Sequence, residues 1–331
     1  MKLNKMHKYG ILFFSLLFSV FLFAACGSDE PAPTPAATPA PAAPAETPAA
    51  PAAEPPAPAE TPAEPAATPA AEEPAAPEAA APAPVEIIGK INVGTTTGSD
   101  IDILEKVVEV AKSRGLEVTL TEFSDYVIPN TALAAKEIDL NSFQHIPYLE
   151  DFIAEKGTPL VSIGTTYISP IGFFSNKITD ISELKEGDTV VIPNDGSNGA
   201  RALLLLEKAG FITLKPDAGA KATVYDIVEN RLNLKIIEVE ASQTPAARDD
   251  ATVVAINNNY AQGVGLNPLT DSIFLEDFDS PYVNVIVARP EDKDNPLYLK
   301  FVEAYQSQEV AEFILEHFKG ATVPAFDYEK K

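Results

Sequence analysis

The stretch best suited to hold an anion runs from Val190 to Arg201. There Val190-Val191-Ile192-Pro193 is followed by Asn194-Asp195-Gly196-Ser197-Asn198-Gly199-Ala200-Arg201, then Ala202 and four leucines. A buried strand turning through a polar, glycine-containing loop into a helix presents free backbone N–H groups and the positive end of the helix dipole. Ser197 or Asn198 is expected as the cap. Arg201, in the first turns, adds a planar donor able to grip a carboxylate with two bonds. The same spacing also describes an ordinary capped helix with Arg201 on its surface. A second group lies in Asp125-Tyr126-Val127-Ile128-Pro129-Asn130 and Phe143-Gln144-His145-Ile146-Pro147-Tyr148-Leu149. It puts Tyr126, Phe143, His145 and Tyr148 at the ends of two neighbouring strands, where rings enclose an apolar or sulfur-containing side chain or simply fill a core. A third, Ala255-Ile256-Asn257-Asn258-Asn259-Tyr260-Ala261, runs from a strand into amides that hydrogen-bond a small polar ligand or cap a helix.

Other chemistries find little support. The sequence has no Walker A motif, G-x-G-x-x-G, G-x-S-x-G or H-E-x-x-H. Its one cysteine, Cys26, makes no intramolecular disulfide and no Cys/His spacing resembles a metal site, so no metal and no cofactor are expected. After Cys26 the only histidines are His145 and His317, and His317 sits among Phe313, Ile314 and Phe318 in a packing or surface role. The 331 residues carry 24 Lys+Arg against 48 Asp+Glu, a net charge of −24, which disfavours nucleic acid as a partner.

The elements that must position these groups alternate between strand and helix. Strands are expected at Lys90 to Thr95, Leu116 to Phe123, Ile138 to Phe143, Leu160 to Ile163, Tyr167 to Ser175, Thr189 to Pro193, Leu234 to Glu240, Thr252 to Asn257 and Tyr282 to Ala288. A helix capped by Ser99 or Asp100 carries Ile101, Leu104, Val107, Val108 and Ala111. Others are expected at Ala132 to Lys136, Ile146 to Lys156, Asn198 to Ala209, Thr223 to Glu229, Pro245 to Arg248, Asn258 to Val264 and Leu297 to Phe318. This order implies an α/β fold with mainly parallel sheets and ligands at the carboxyl ends of strands.

The N-terminal quarter has a different character. Lys2, Lys5 and Lys8 precede an apolar run from Ile11 to Phe23, too short to span a bilayer as a stable helix, and small residues lead to Cys26. Residues 1–25 are expected to be a signal peptide. Phe-Ala-Ala-Cys-Gly resembles a lipoprotein signal in which Cys26 is lipidated, the alternative being a secreted chain with an incidental cysteine. Residues 26–86 hold 18 of the chain's 30 prolines, with Ala, Thr and Glu and no Lys or Arg. Such a segment has no apolar surface to offset ordering entropy and is expected to be a disordered tether, reaching on the order of 180 Å at full extension. About 245 residues remain, enough for one large domain or two lobes.

Taken together, the strings Tyr126 to Asn130, Phe143 to Leu149, Pro193-Asn194-Asp195 through Arg201 to Leu206, Ile227-Val228-Glu229-Asn230, Ile256-Asn257 and Ser280-Pro281-Tyr282-Val283-Asn284 resemble the methionine-binding lipoproteins of the NlpA/MetQ family, in order and across about Gly89 to Phe318. Gly196 stands where that family often has Pro, and the loop Gly94 to Asp100 lacks its Pro and His. The resemblance implies a two-lobed, periplasmic-binding-protein-like fold (type II) with two hinge crossovers, 87–175 plus 277–331 forming lobe one and 176–276 lobe two. It implies a non-enzymatic lipoprotein, anchored to the membrane through lipid on its extracytoplasmic face, that captures methionine, L-methionine in first place, and delivers it to the permease and ATPase of an ABC importer. It also implies that Arg201 pairs with the ligand carboxylate, that Asn230 and Asn257 bond its backbone, and that Tyr126, Phe143, His145 and Tyr148 surround its side chain. A Gly-Met-type dipeptide or another amino acid is the alternative cargo. A surface adhesin with a vestigial pocket, or an enzyme using His145, are the alternative classes.

Overall fold

The computed structural model describes residues 85–279 and 281–328; the expected signal peptide, Cys26 and nearly all of the tether lie outside the described residues. Two five-stranded sheets organise what is described. The first has β1 (Gly89–Thr96), β2 (Leu116–Phe123), β3 (Leu140–His145), β4 (Val161–Thr165) and β13 (Asn284–Ala288), in the order β2-β1-β3-β13-β4. The second has β6 (Gly172–Phe174), β7 (Thr189–Pro193), β10 (Lys235–Val239), β11 (Val253–Ile256) and β12 (Phe274–Leu275), in the order β10-β7-β11-β6-β12. Two small ladders pair β5 (Tyr167–Ile168) with β14 (Val323–Pro324) and β8 (Ile212–Leu214) with β9 (Ile227–Asn230).

In each large sheet one strand runs against the other four: β13 in the first and β6 in the second. These are the strands by which the chain enters a sheet after leaving the other one. The mainly parallel α/β architecture expected from the sequence is thus present, and β11 and β13, buried along their whole length, have the continuous apolar runs of strands covered on both faces. Gly172–Phe174, ahead of the lobe boundary expected after residue 175, already pairs with β11 and β12, so the chain passes between the sheets at 169–171, where Pro170 lacks the N–H a strand needs. The return crossing lies between β12 and β13.

The helices are α1 (Ser99–Ser113), α2 (Ile128–Ala134), α3 (Ile146–Lys156), α4 (Gly196–Lys208), α5 (Asn258–Gly263), α6 (Pro268–Asp271), α7 (Pro296–Tyr305) and α8 (Gln308–Phe318). α1 packs Ile103, Leu104 and Val107 with Phe301, Tyr305 and Ile314 of α7 and α8 over the first sheet. α4 packs Leu203, Leu205 and Leu206 on Val190, Ile192 and Val253 of the second. Four expected helices change, one of them Pro245 to Arg248, which is a single 3-10 turn at Ala246–Arg248. Leu297 to Phe318 is two helices, because the Ser307 hydroxyl accepts from the Val310 N–H and starts a new one. Thr223 to Glu229 is one 3-10 turn closed by reciprocal Thr223 and Asp226 bonds, after which β-branched Ile227 and Val228 enter β9. The helix expected at Ala132 to Lys136 begins at Ile128 and ends at Ala134, with Lys136 at positive φ.

Candidate ligand-binding site

The carboxyl end of β3 delivers Phe143 and His145, the turn before α2 delivers Tyr126, and the first turn of α3 delivers Tyr148. The four rings predicted to cluster do so. Ring centroids lie 5.9 Å apart for Tyr126 and Phe143, 5.8 Å for Tyr126 and Tyr148, 6.0 Å for Phe143 and Tyr148, and 6.2 Å for His145 and Tyr148. The Tyr148 hydroxyl donates to the Tyr126 carbonyl at 2.9 Å, which fixes two of the rings relative to each other. His145 also caps α3: the Tyr148 N–H donates to Nδ1 at 3.1 Å, which leaves Nε2 to carry the ring proton. Nε2 lies 3.1 Å from Asn198 Oδ1, across the space between the two sheets. Burial, and secondly the charge of Arg201, push His145 down to about 3, so it is neutral near pH 7.

The second sheet supplies polar groups. At the end of β7 the cap of α4 is Asp195, correcting Ser197 and Asn198, and its carboxylate accepts from the Asn198 N–H at 2.9 Å. Asn198 uses its side chain instead to reach across: Nδ2 donates to both Asp195 oxygens at 2.9 and 3.1 Å, while Oδ1 faces His145 and accepts from Asn257 Nδ2 at 2.7 Å. Burial raises the Asp195 carboxyl above its ordinary range. Asn257, at the end of β11, keeps a buried Oδ1 with no partner, an acceptor that a ligand ammonium can satisfy.

Arg201 is 4 % exposed, which removes the surface-helix alternative. Its Nε donates to Glu276 Oε1 at 2.9 Å and Oε2 at 3.0 Å, and its Nη2 donates to Glu276 Oε2 and to the Ser169 carbonyl, the latter at 2.8 Å. The guanidinium also sits 4.3 Å from the Tyr282 ring centroid. One side chain of α4 therefore touches both crossings between the sheets.

The sheets are drawn together at α5. Tyr126 donates its hydroxyl to Asn259 Oδ1 at 2.6 Å, and Asn259 Nδ2 donates to Thr96 Oγ1 at 3.3 Å and the Thr97 carbonyl at 3.4 Å. Gly98 makes this approach possible: at φ 82°, a Cβ there would lie 2.0 Å from the Asn259 carbonyl oxygen. Gly98 also precedes α1 without a side-chain cap, correcting Ser99 and Asp100. Asp100 is instead buried, accepting from Thr96 Oγ1 at 2.5 Å and from the Tyr167 hydroxyl, and burial pushes its carboxyl up to about 7. Ile103 and Val110 fill the buried face expected of Ile101 and Val108, which are half-buried.

Between rings and amides lies a cavity of about 30 Å³. Six of the seven expected binding residues, Tyr126, Phe143, His145, Tyr148, Arg201 and Asn257, line it. Asn230 does not. It ends β9, and its amide bonds Leu234 in this structure, donating to the carbonyl at 2.9 Å and accepting from the N–H at 2.8 Å, a turn-closing contact. Sequence reasoning missed Asn198 as a lining group, Ser169 and Tyr167, and Glu276 behind them. Asn198 was visible beside Arg201 but read as a cap; nothing near Glu276 in the sequence signals a buried partner. Among the described residues no group of three His, Cys, Asp or Glu is placed to hold a metal, and no helix is long and apolar enough to cross a membrane.

The family model described as NlpA lipoprotein matches residues 91–326. The chain is 49 % identical over 236 residues to the D-methionine-binding lipoprotein MetQ of Salmonella typhimurium, covering 70 % of this chain and 87 % of the relative. It is 46 % identical over 235 residues to outer membrane lipoprotein 3 of Mannheimia haemolytica, covering 71 % and 89 %. Among solved structures, a nutrient binding protein from Burkholderia cenocepacia bound to methionine is similar with a TM-score of 0.70 and 48 % identity, over 71 % of this chain and 100 % of that one.

Proposed function

The chain belongs to the NlpA lipoprotein family, and from that premise we propose that it is a substrate-binding protein that captures methionine between two lobes and delivers it to the permease and ATPase of an ABC importer. The observation that carries this is the division of the cavity: four clustered rings on one side, and on the other a buried guanidinium and an orphaned amide oxygen at Asn257. A thioether is polarizable and packs well against ring edges, while the α-carboxylate and ammonium need the charge-assisted donor and the acceptor opposite. L-methionine is the first candidate. The name of the Salmonella relative supports including the D-form.

Lobe one would comprise about 87–170 and 277–331, lobe two about 171–276, with the crossings as hinges. Ring side chains come from the first and polar side chains from the second, so a ligand touching both favours the closed arrangement. The His145–Asn198 and Tyr126–Asn259 contacts support that reading. The cavity is narrow in this arrangement, so methionine would enter when the lobes part or side chains draw back. A Gly-Met-type dipeptide requires still more room. Cys26, lipidated and extended by the Pro/Ala tether, would hold the domain to the membrane on its extracytoplasmic face; two or more acyl chains suffice for stable attachment.

The test is a thermal-shift screen of the full chain, unfolded and refolded to strip carried ligand, against L-methionine, D-methionine, Gly-Met and the other common amino acids. A rise in Tm with methionine is the expected outcome. A rise only with a different compound replaces the cargo, and no rise with any favours the adhesin alternative.

A further inference from the structure

Arg201 has five N–H bonds to give. Three are committed within the protein: Nε–H and one Nη2–H to Glu276, and the other Nη2–H to the Ser169 carbonyl. None of these bonds uses Nη1. Glu276 is itself held in place, since its backbone N–H donates to the Ile171 carbonyl at 3.1 Å and its Oε2 faces the Ile171 N–H at 3.4 Å. The fork is therefore not free to clasp a ligand carboxylate with two parallel bonds from Nη1 and Nη2.

The charge balance follows from the same contacts. Among the described residues, Arg201 is the one cationic side chain lining the cavity; the other lining groups are rings, amides and hydroxyls, with His145 neutral. Its charge is already matched by Glu276. Two more carboxyl groups stand one side chain back, Asp195 behind Asn198 and Asp100 behind Tyr167. A ligand with net charge −1 would bring an uncompensated anion into this buried space, whereas a zwitterion brings its own cation.

We propose that Glu276 is a specificity-determining residue: by neutralising Arg201 and confining it to its Nη1 edge, it selects a zwitterionic amino acid over an anionic acid of the same shape. This rests on the proposed binding of methionine and adds to it the charge class of the ligand. Glu276 acts through Arg201 and is a positioning residue.

The experiment titrates L-methionine and its isosteric 2-hydroxy acid, 2-hydroxy-4-(methylthio)butanoate, into refolded full-length wild type, E276Q and E276D by calorimetry. The wild type is expected to prefer methionine strongly. In E276Q the ratio of the two affinities should fall by about tenfold or more, with the hydroxy acid gaining in absolute affinity, while E276D, which keeps the charge, should hold the wild-type ratio within about threefold. An unchanged ratio in E276Q, or equal weakening of both ligands, overturns the proposal and leaves Glu276 a structural partner of Arg201. So does loss of the fold in both variants, measured by circular dichroism. A wild type that binds neither compound defeats the methionine reading itself, an outcome distinct from binding with an unaltered ratio.

Discussion

The ring wall from the first sheet and the polar floor from the second differ in how their side chains are held. Tyr126, Phe143 and Tyr148 are placed by mutual packing at centroid separations near 6 Å, with one bond between hydroxyl and backbone to lock them. Such contacts tolerate a range of ligand shapes. Asn198 and Arg201 are over-determined: Asn198 bonds three other residues through its amide, and Arg201 two, each with a fixed direction. This contrast supports a division of labour in the proposed site, in which the floor would set what every ligand must carry at its α-carbon and the wall would choose among side chains.

The largest expected effect comes from breaking the floor. R201A should weaken methionine by about 100-fold, the loss of a charge-assisted bond worth about 3 kcal/mol, and weaken alanine in proportion, since neither side chain is involved. Calorimetry with both amino acids checks this. The variant should also melt lower, because Glu276, largely buried, loses its counterion, while circular dichroism shows the fold retained. Breaking the wall should look different. F143A is expected to cost methionine about tenfold and leave alanine nearly unchanged, so the ratio of the two collapses. If F143A and R201A change that ratio alike, the division of labour is wrong.

At the seam, Y126F removes the hydroxyl that donates to Asn259 and keeps the ring. A loss of about threefold is expected, seen mainly as faster release in stopped-flow measurements, since the ring still packs but the closed form is less secure.

The smallest effect separates the two regions by pH. His145, on the wall, is pushed down to about 3, so between about pH 6.5 and 3 the unfolded chain binds a proton that the folded one refuses, and stability is lost as pH falls. Asp100, behind Tyr167, is pushed up to about 7, so between about pH 4 and 7 the folded chain keeps a proton that the unfolded one has released, and stability is lost as pH rises. The two slopes oppose each other across most of this window. In D100N the Asp100 contribution is gone, and Tm should fall more steeply than in the wild type as pH drops from 6.5 to 4. Parallel curves would mean that Asp100 is not held protonated.

Much of the fold was legible because apolar runs such as Val190 to Ile192 and Val253 to Ile256 can hardly be anything but buried strands. The break at Ser307 was not, since the apolar spacing continues through it from α7 to α8 and one cap residue decides the matter. Of the site, the rings were legible from their crowding at strand ends, and Arg201 from its place in the first turns of a helix. Asn257 was legible from its place after a strand, whereas Asn230 rested on the family resemblance alone. Only the turn to Leu234 takes its amide away from the cavity, a contact set by local geometry rather than residue type. Glu276 lies 75 positions from Arg201, and its role emerges only when the second crossing brings it against α4.

On the proposed function, the space between wall and floor is a binding site for methionine. Calorimetric titration of L-methionine into the refolded full chain, at several temperatures, tests it most directly. Saturable binding of one ligand per chain with a negative heat-capacity change is expected, as a thioether leaves water for the rings. A flat titration at every temperature, from protein shown by circular dichroism to be folded, would contradict it.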